Sequence, residues 1–273
     1  MRIRTTERDH EFTQRLFNKL NLFSIQGLTL NAKKEFSAAI EAIQYEDHEE
    51  VQLENIFPLT EAKARYYLAK TLKIPFYYVI YQSSEFRVYE IEISENFQSK
   101  QVEVLNEKAF VEWWARLKGL NQPKALMEAA ERVKSSIFDI TLEKHNMAWG
   151  GNIDGFMFRN KEFACIIENI YTQKNPLESP MGEPSYYFHM RGPNYNTWFP
   201  TVKLASYLNV PLFLFTIEGN NNKERIGFAV IDHLSTLGIY YKGNKPNKNI
   251  LEGLEHIMET INANLNNKPP KII

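Results

Sequence analysis

The sequence predicts an α/β protein built from two tandem α/β domains, each a mixed central sheet flanked by helices. Three observations carry this expectation. Amphipathic helical stretches are followed by short apolar strands. The same run of elements occurs twice along the chain. Between the two runs, Gly119-Leu120-Asn121-Gln122-Pro123 breaks the helical pattern. The expected domains are therefore residues 1–120 and 121–273.

Each run opens on a helix, about 7–20 in the first and 124–143 in the second. Residues 40–56 read IEAIQYEDHEEVQLENI and residues 153–170 read IDGFMFRNKEFACIIENI, matching with one extra residue in the second copy. In this alignment Glu41 answers to Asp154, and Glu54-Asn55-Ile56 to Glu168-Asn169-Ile170. Further on, Leu68-Ala69-Lys70-Thr71-Leu72-Lys73-Ile74-Pro75 leads into Phe76–Tyr81. Its counterpart Leu204-Ala205-Ser206-Tyr207-Leu208-Asn209-Val210-Pro211 leads into Leu212–Thr216. Each pair reads as a helix, a proline-bearing turn and a buried strand. Charged turns, two more strands and closing helices near 107–118 and 249–264 complete the two runs. The second copy carries an insertion between Thr172 and Trp198, rich in Pro, Gly, Asn and Tyr, which reads as an ordered working loop.

Composition narrows the functional classes. The chain has 273 residues, 44% hydrophobic and 24% charged, which excludes a disordered chain. Its 32 basic and 33 acidic side chains leave a net charge of −1, so nucleic acid would have to meet a local surface rather than a uniformly basic one. The single cysteine, Cys165, sits in an apolar run and reads as a buried small hydrophobe. No segment has the length of a signal peptide's apolar core or the roughly 20 apolar residues of a membrane span. The expectation is a cytoplasmic protein with no membrane partner. Phosphate-loop, dinucleotide-loop, HExxH, CxxC and nucleophile-elbow patterns are all absent, and the six histidines are scattered singly.

The candidate chemistry lies in Asp154 and Glu168. Asp154 enters the strand-like run Phe156-Met157-Phe158, the turn Arg159-Asn160-Lys161 follows, and Glu168 interrupts the apolar strand Ala164–Ile170. Two antiparallel strands joined by such a turn place carboxylates side by side. A pair of this kind suits Mg²⁺, with Mn²⁺ as a substitute, because Mg²⁺ prefers oxygen ligands and keeps water and substrate phosphate. A charge entering a buried strand is costly unless paired or bound to metal. Two structural readings stand beside this one: Asp154 as a turn former before Gly155, and Glu168 as half of an edge-strand ion pair.

This arrangement resembles the restriction-endonuclease-like, or PD-(D/E)xK, nuclease superfamily. Ile153-Asp154-Gly155, then Ile167-Glu168-Asn169-Ile170, then the helix Trp198–Val210 and strand Pro211–Thr216 follow that family's order. The resemblance covers most of 124–245 and, less clearly, 7–95. It implies two tandem restriction-endonuclease-like domains and Mg²⁺-dependent cleavage of DNA, with metal ligands Asp154, Glu168 and, from the upstream helix, Glu143. The family's lysine position is held by Ile170, and by Ile56 in the first copy. Lys203 on the following helix is the leading substitute and Lys174 the second. The first copy offers Glu41, Glu54 and Lys63, the last one helical turn before the counterpart of Lys203.

Lys174, Arg191, Tyr195, Asn196 and Trp198, in or beside the insertion, are the candidates for meeting phosphates and bases. The expected function is a metal-dependent DNA endonuclease, a monomer acting as a pseudo-dimer or a homodimer. The alternatives are a non-catalytic nuclease-fold protein that binds DNA or protein, and an α/β ligand-binding protein whose repeat builds a cleft.

Overall fold

A computed structural model describes residues 11–45, 53–82, 85–94, 97–120, 137–145, 147, 151–172, 175–188, 195–218 and 224–273. The first elements are α1 (Glu11–Leu20), β1 (Phe23–Leu30), β2 (Phe36–Gln44), α2 (Leu53–Ile56), α3 (Leu59–Leu72) and β3 (Phe76–Gln82). Next come β4 (Glu85–Ile93), β5 (Phe97–Asn106), α4 (Glu107–Leu117), α5 (Ile137–Lys144), β6 (Gly151–Arg159) and β7 (Glu162–Thr172). The last are α6 (Pro184–Tyr187), α7 (Tyr195–Leu208), β8 (Leu212–Glu218), β9 (Arg225–Ser235), β10 (Gly238–Lys242), β11 (Ile250–Glu252), α8 (Leu254–Asn264) and β12 (Lys271–Ile272). Among the described residues no helix is long and apolar enough to cross a membrane.

The chain forms two compact units, one of residues 25–152 and one combining 1–24 with 153–273. Both are mixed α/β. In the 25–152 unit the strands lie in the order β1-β2-β3-β4-β5. Strands β2 and β3 are parallel, and the other neighbours antiparallel. Because β2 and β3 are parallel, the chain between them must cross over, and α3 makes that crossing. Successive strand residues face opposite sides. Ala38 and Ile40 of β2, Val79 and Tyr81 of β3, and Phe86 and Val88 of β4 therefore share one core with α4 and α5. Asn106 caps α4 by accepting from the Ala109 N–H at 2.9 Å. Glu41 and Tyr78 alternate to the other face.

The second unit repeats this plan, with order β10-β9-β8-β7-β6, β7 and β8 parallel, and α7 making the crossing. Strands β11 and β12 add onto β9. Its core joins Cys165 and Ile167 of β7, Phe213 and Phe215 of β8, and Phe228 of β9 to Ile257 and Ile261 of α8. Cys165 is fully buried, as its sequence context predicts, and burial pushes its thiol up to about 12.

The two crossings end alike. Lys73 and Asn209 both adopt the left-handed conformation, at φ 58° and 56°. The next N–H groups, of Ile74 and Val210, close the helices onto the carbonyls of Ala69 and Ala205 at 3.0 Å. The prolines that follow present their carbonyls to Ala39 and Ile166 N–H, again at 3.0 Å.

These registers determine which residues correspond. Gly27 faces Ile40 as Gly155 faces Ile167, and Ala39 pairs Phe76 as Ile166 pairs Leu212. Glu41 therefore occupies the place of Glu168, and Gln26 that of Asp154. The alignment of residues 40–56 with 153–170 is corrected accordingly. Glu54 lies on no strand: β2 ends at Gln44, and Leu53–Ile56 curl into a single helical turn, closed by Phe57 N–H on Leu53 O at 2.9 Å ahead of Pro58.

The leading helices bring a second difference. The boundaries 1–120 and 121–273 follow order along the chain, whereas the compact units follow packing. Helix α1 shows Phe12, Leu16, Phe17 and Leu20 on one stripe, and they enter the core of the unit containing 153–273. Phe138 and Leu142 of α5 enter the core of the 25–152 unit. Each run's leading helix thus belongs to the other run's sheet.

Gly227 on β9 sits where a side chain has no room. A Cβ there would collide with Thr216 Oγ1 and stand 2.8 Å from the Pro246 carbonyl. Gly227→Ala is expected to cost at least about 1–3 kcal/mol by overpacking, read as a lowered midpoint in thermal unfolding.

Candidate carboxylate site

Strands β6 and β7 bring Asp154 and Glu168 together. Their antiparallel register pairs Phe156 with Ile166 and Gly155 with Ile167, and one further step sets Asp154 opposite Glu168. Both carboxylates then lie on the face turned towards α7, away from the core formed by Cys165, Ile167 and Phe213. Thr201 of α7, itself 1% exposed, donates its hydroxyl to Glu168 Oε2 at 3.3 Å. Asp154 Oδ2 accepts the backbone N–H of Asn169 at 2.8 Å. The pair is thus held by one helix side chain and one strand amide.

Its electrostatics are uneven. Burial first, and the adjacent Asp154 charge second, raise the Glu168 carboxyl well above the ordinary glutamate range, against the lowering effect of the Thr201 hydrogen bond. Two carboxylates this close compete for one proton unless a cation lies between them.

The corresponding place in the 25–152 unit is built differently. Gln26 stands for Asp154, and its Oε1 accepts the Ala42 N–H at 2.7 Å, the same bond Asp154 makes with Asn169. Glu41, 5% exposed, accepts the Gln26 N–H at 2.9 Å. Counting back from the two left-handed caps, Arg65 holds the helix position of Thr201. Its Nε lies 3.3 Å from Glu41 Oε1, and its Nη2 3.2 Å from Glu61 Oε2. Burial raises the Glu41 carboxyl, while Arg65 and the Gln26 N–H pull it back. The acid here is met by an internal arginine.

The remaining sequence candidates are placed as follows. Lys203 is half-buried two residues beyond Thr201, about 200° around the helix, with its ammonium 5.9 Å from the Phe199 ring centre. Lys63 stands two residues before Arg65 and is exposed; Arg65 rather than Lys63 is the cation beside Glu41. Glu143 is on α5, whose Phe138 and Leu142 pack in the 25–152 unit, and its side chain lies outside the described ones. The Glu54 side chain is likewise outside them. Lys174 and Arg191 lie outside the described residues. Tyr195, Asn196 and Trp198 form the first turn of α7 rather than a loop. Tyr195 packs on Phe199 at 5.6 Å, Asn196 is exposed, and Trp198 is buried at 7% exposure, leaving little ring face for a base.

The described part of the insertion, 175–188, is ordered by ion pairs. Arg225 reaches Glu178 at 2.6 Å and Glu218 at 2.7 Å, and Glu218 also accepts the Leu177 N–H at 3.0 Å. Glu183, buried at 2%, accepts the Tyr241 hydroxyl at 2.7 Å and pairs with Lys245 at 3.2 Å.

Sequence reasoning missed the roles of Gln26, Arg65 and Thr201, though two signals for Gln26 and the register of Glu41 exist. Ile25-Gln26-Gly27 echoes Ile153-Asp154-Gly155, and Lys34-Glu35-Phe36 with Ile40-Glu41 echoes Lys161-Glu162-Phe163 with Ile167-Glu168.

Among the described residues, no group of three or more His, Cys, Asp or Glu side chains is gathered for a metal. The donor set at Asp154 and Glu168 is two carboxylates. That suits Mg²⁺, which is commonly bound through one or two carboxylates with waters and phosphate completing its shell. No family model, curated protein or solved structure matches the chain.

Two outcomes are expected from these charges. A carboxyl raised in the folded state holds its proton longer there than in the unfolded chain, so its contribution to stability is lost as pH rises from the ordinary glutamate range towards the raised value. Urea midpoints between pH 5 and pH 8 should therefore fall more for the metal-free wild type than for Glu168→Gln. Arg65→Ala leaves Glu41 buried without its guanidinium and should cost about 3–5 kcal/mol in urea unfolding.

Proposed function

We propose that this chain is a metal-dependent DNA endonuclease of the restriction type, hydrolysing phosphodiesters at Asp154 and Glu168. The observation that carries the reading is the carboxylate pair itself: two acids on one sheet face, one with its proton affinity raised by burial and by the other. Two carboxylates in one place gain when they share a divalent cation. The order hairpin, crossing helix, parallel strand supports the resemblance to restriction-endonuclease-like nucleases. In that reading the chain is two tandem domains of this kind, and the second repeat carries the working site.

Asp154 and Glu168 would hold the Mg²⁺, which supplies positive charge against the phosphate and lowers the pKa of a water. The protein's own part is positional. The Asn169 N–H fixes Asp154 Oδ2, and Thr201 fixes Glu168 Oε2, so the two oxygen ligands keep their spacing without a searching side chain. Lys174 is the proposed cation for the attacking water and the phosphate, with Arg191, Tyr195 and Asn196 as the DNA contacts; Lys203, on the side of α7 away from Thr201, is set aside.

A second reading, a nuclease-fold protein that binds DNA or protein without cleaving, is favoured by Ile170 at the usual lysine position and by Thr201 as the helix side chain on Glu168.

Plasmid cleavage in Mg²⁺ and Mn²⁺ separates the two. The nuclease should convert the plasmid. Asp154→Ala and Glu168→Ala should each lose several kcal/mol of transition-state stabilisation, at least about 100-fold in rate. Metal-independent DNA binding without cleavage would replace the first reading by the second.

A further inference from the structure

In the place corresponding to Asp154–Glu168 in the 25–152 unit, one carboxylate is replaced and the other, Glu41, is retained beside an arginine. A neutral amide, Gln26, stands where the second carboxylate would be, yet keeps the strand N–H bond that orients it. A guanidinium, Arg65, stands where Thr201 is, with Nε 3.3 Å from Glu41. Its Nη2 is tied to Glu61, one turn earlier on the same helix. The remaining acid is thus already neutralised by a permanently charged group that is 3% exposed.

We infer that each chain holds one divalent-cation site, at Asp154–Glu168, and that the Glu41 position has become an internal ion pair that excludes metal. This rests on the proposed function for its consequence. One chain engages one phosphodiester at a time, so a single encounter with duplex DNA breaks one strand. A cut through both strands then requires two chains or two visits.

The replacement is specific in chemical terms. An arginine cannot lose its proton to admit a cation. Expelling it would leave a buried guanidinium without Glu41 and a buried carboxylate without Arg65. Glu61 on the same helix is held by the same guanidinium, so a Mg²⁺, which gives up its water reluctantly, would have to displace an arginine paired with both acids.

The experiment is calorimetric titration of the full chain with Mn²⁺, followed by plasmid cleavage with the same protein. One Mn²⁺ per chain is expected, lost in Asp154→Asn and retained in Glu41→Gln, with folding of each variant checked by circular dichroism. Supercoiled plasmid should pass first to the nicked circle, with linear product rising as the square of chain concentration. Two Mn²⁺ per chain, or loss of the single ion in a folded Glu41→Gln, overturns the inference and leaves the nuclease reading standing. Linear product formed at first order in chain concentration, without a nicked precursor, also overturns it. One Mn²⁺ without cleavage keeps the single site and removes the nuclease reading. No bound Mn²⁺ removes both.

Discussion

A carboxylate on the covered face of a sheet must have its charge met, and the two units of this protein meet it in opposite ways. In one, Arg65 sits beside Glu41 and closes the account internally. In the other, Asp154 sits beside Glu168, with the Thr201 hydroxyl on Glu168 and the Asn169 amide on Asp154. The backbone does not distinguish them: the hairpin, the parallel crossing, the left-handed cap and the proline carbonyl are common to both. Charge on two positions per unit makes the difference. A scaffold whose strand ladders fix such positions can exchange binding for stability without moving its main chain.

Much of the fold was legible because it rests on period and punctuation. The apolar runs at Phe76 and Leu212, each after proline, became β3 and β8, and the proline turns became the caps at Lys73 and Asn209. The site was half legible. Asp154 and Glu168 stood out as acids in apolar surroundings, and the hairpin does bring them together. Their partners did not stand out, because Gln26, Arg65 and Thr201 acquire meaning only through register. A string match across Glu54-Asn55-Ile56 followed residue identity where the ladder follows hydrogen bonds, and so it paired Glu41 with the wrong acid. The position after Glu168 shows the limit again: Asn169 turns to the opposite side, as strand alternation predicts, but its buried, unpaired side-chain oxygen is not legible in the sequence.

The leading helices were the least legible. Phe12 and Leu16 announce an amphipathic helix, as Phe138 and Leu142 do, but amphipathicity does not say which sheet will receive the stripe. Tertiary packing decides that, and here it sets sequence order aside twice. The resemblance assigned Glu143 to the metal as an upstream-helix acid, whereas its helix packs with Phe86 and Trp114.

Helix α1 has a bearing on how the chain is made. It leaves the ribosome well before the residues beyond 153 that assemble the core around Phe12, Leu16 and Phe17. The amino-terminal helix must therefore wait, its apolar stripe uncovered, while the intervening unit is synthesised. That unit in turn lacks Phe138 and Leu142 until α5 has emerged. The 25–152 unit is one uninterrupted stretch, whereas the other needs residues from both 1–24 and 153–273. Folding of that discontinuous unit is thereby tied to synthesis of the residues beyond 153: contacts distant in sequence close last, and a product that stops short of them presents the apolar stripe of α1 uncovered.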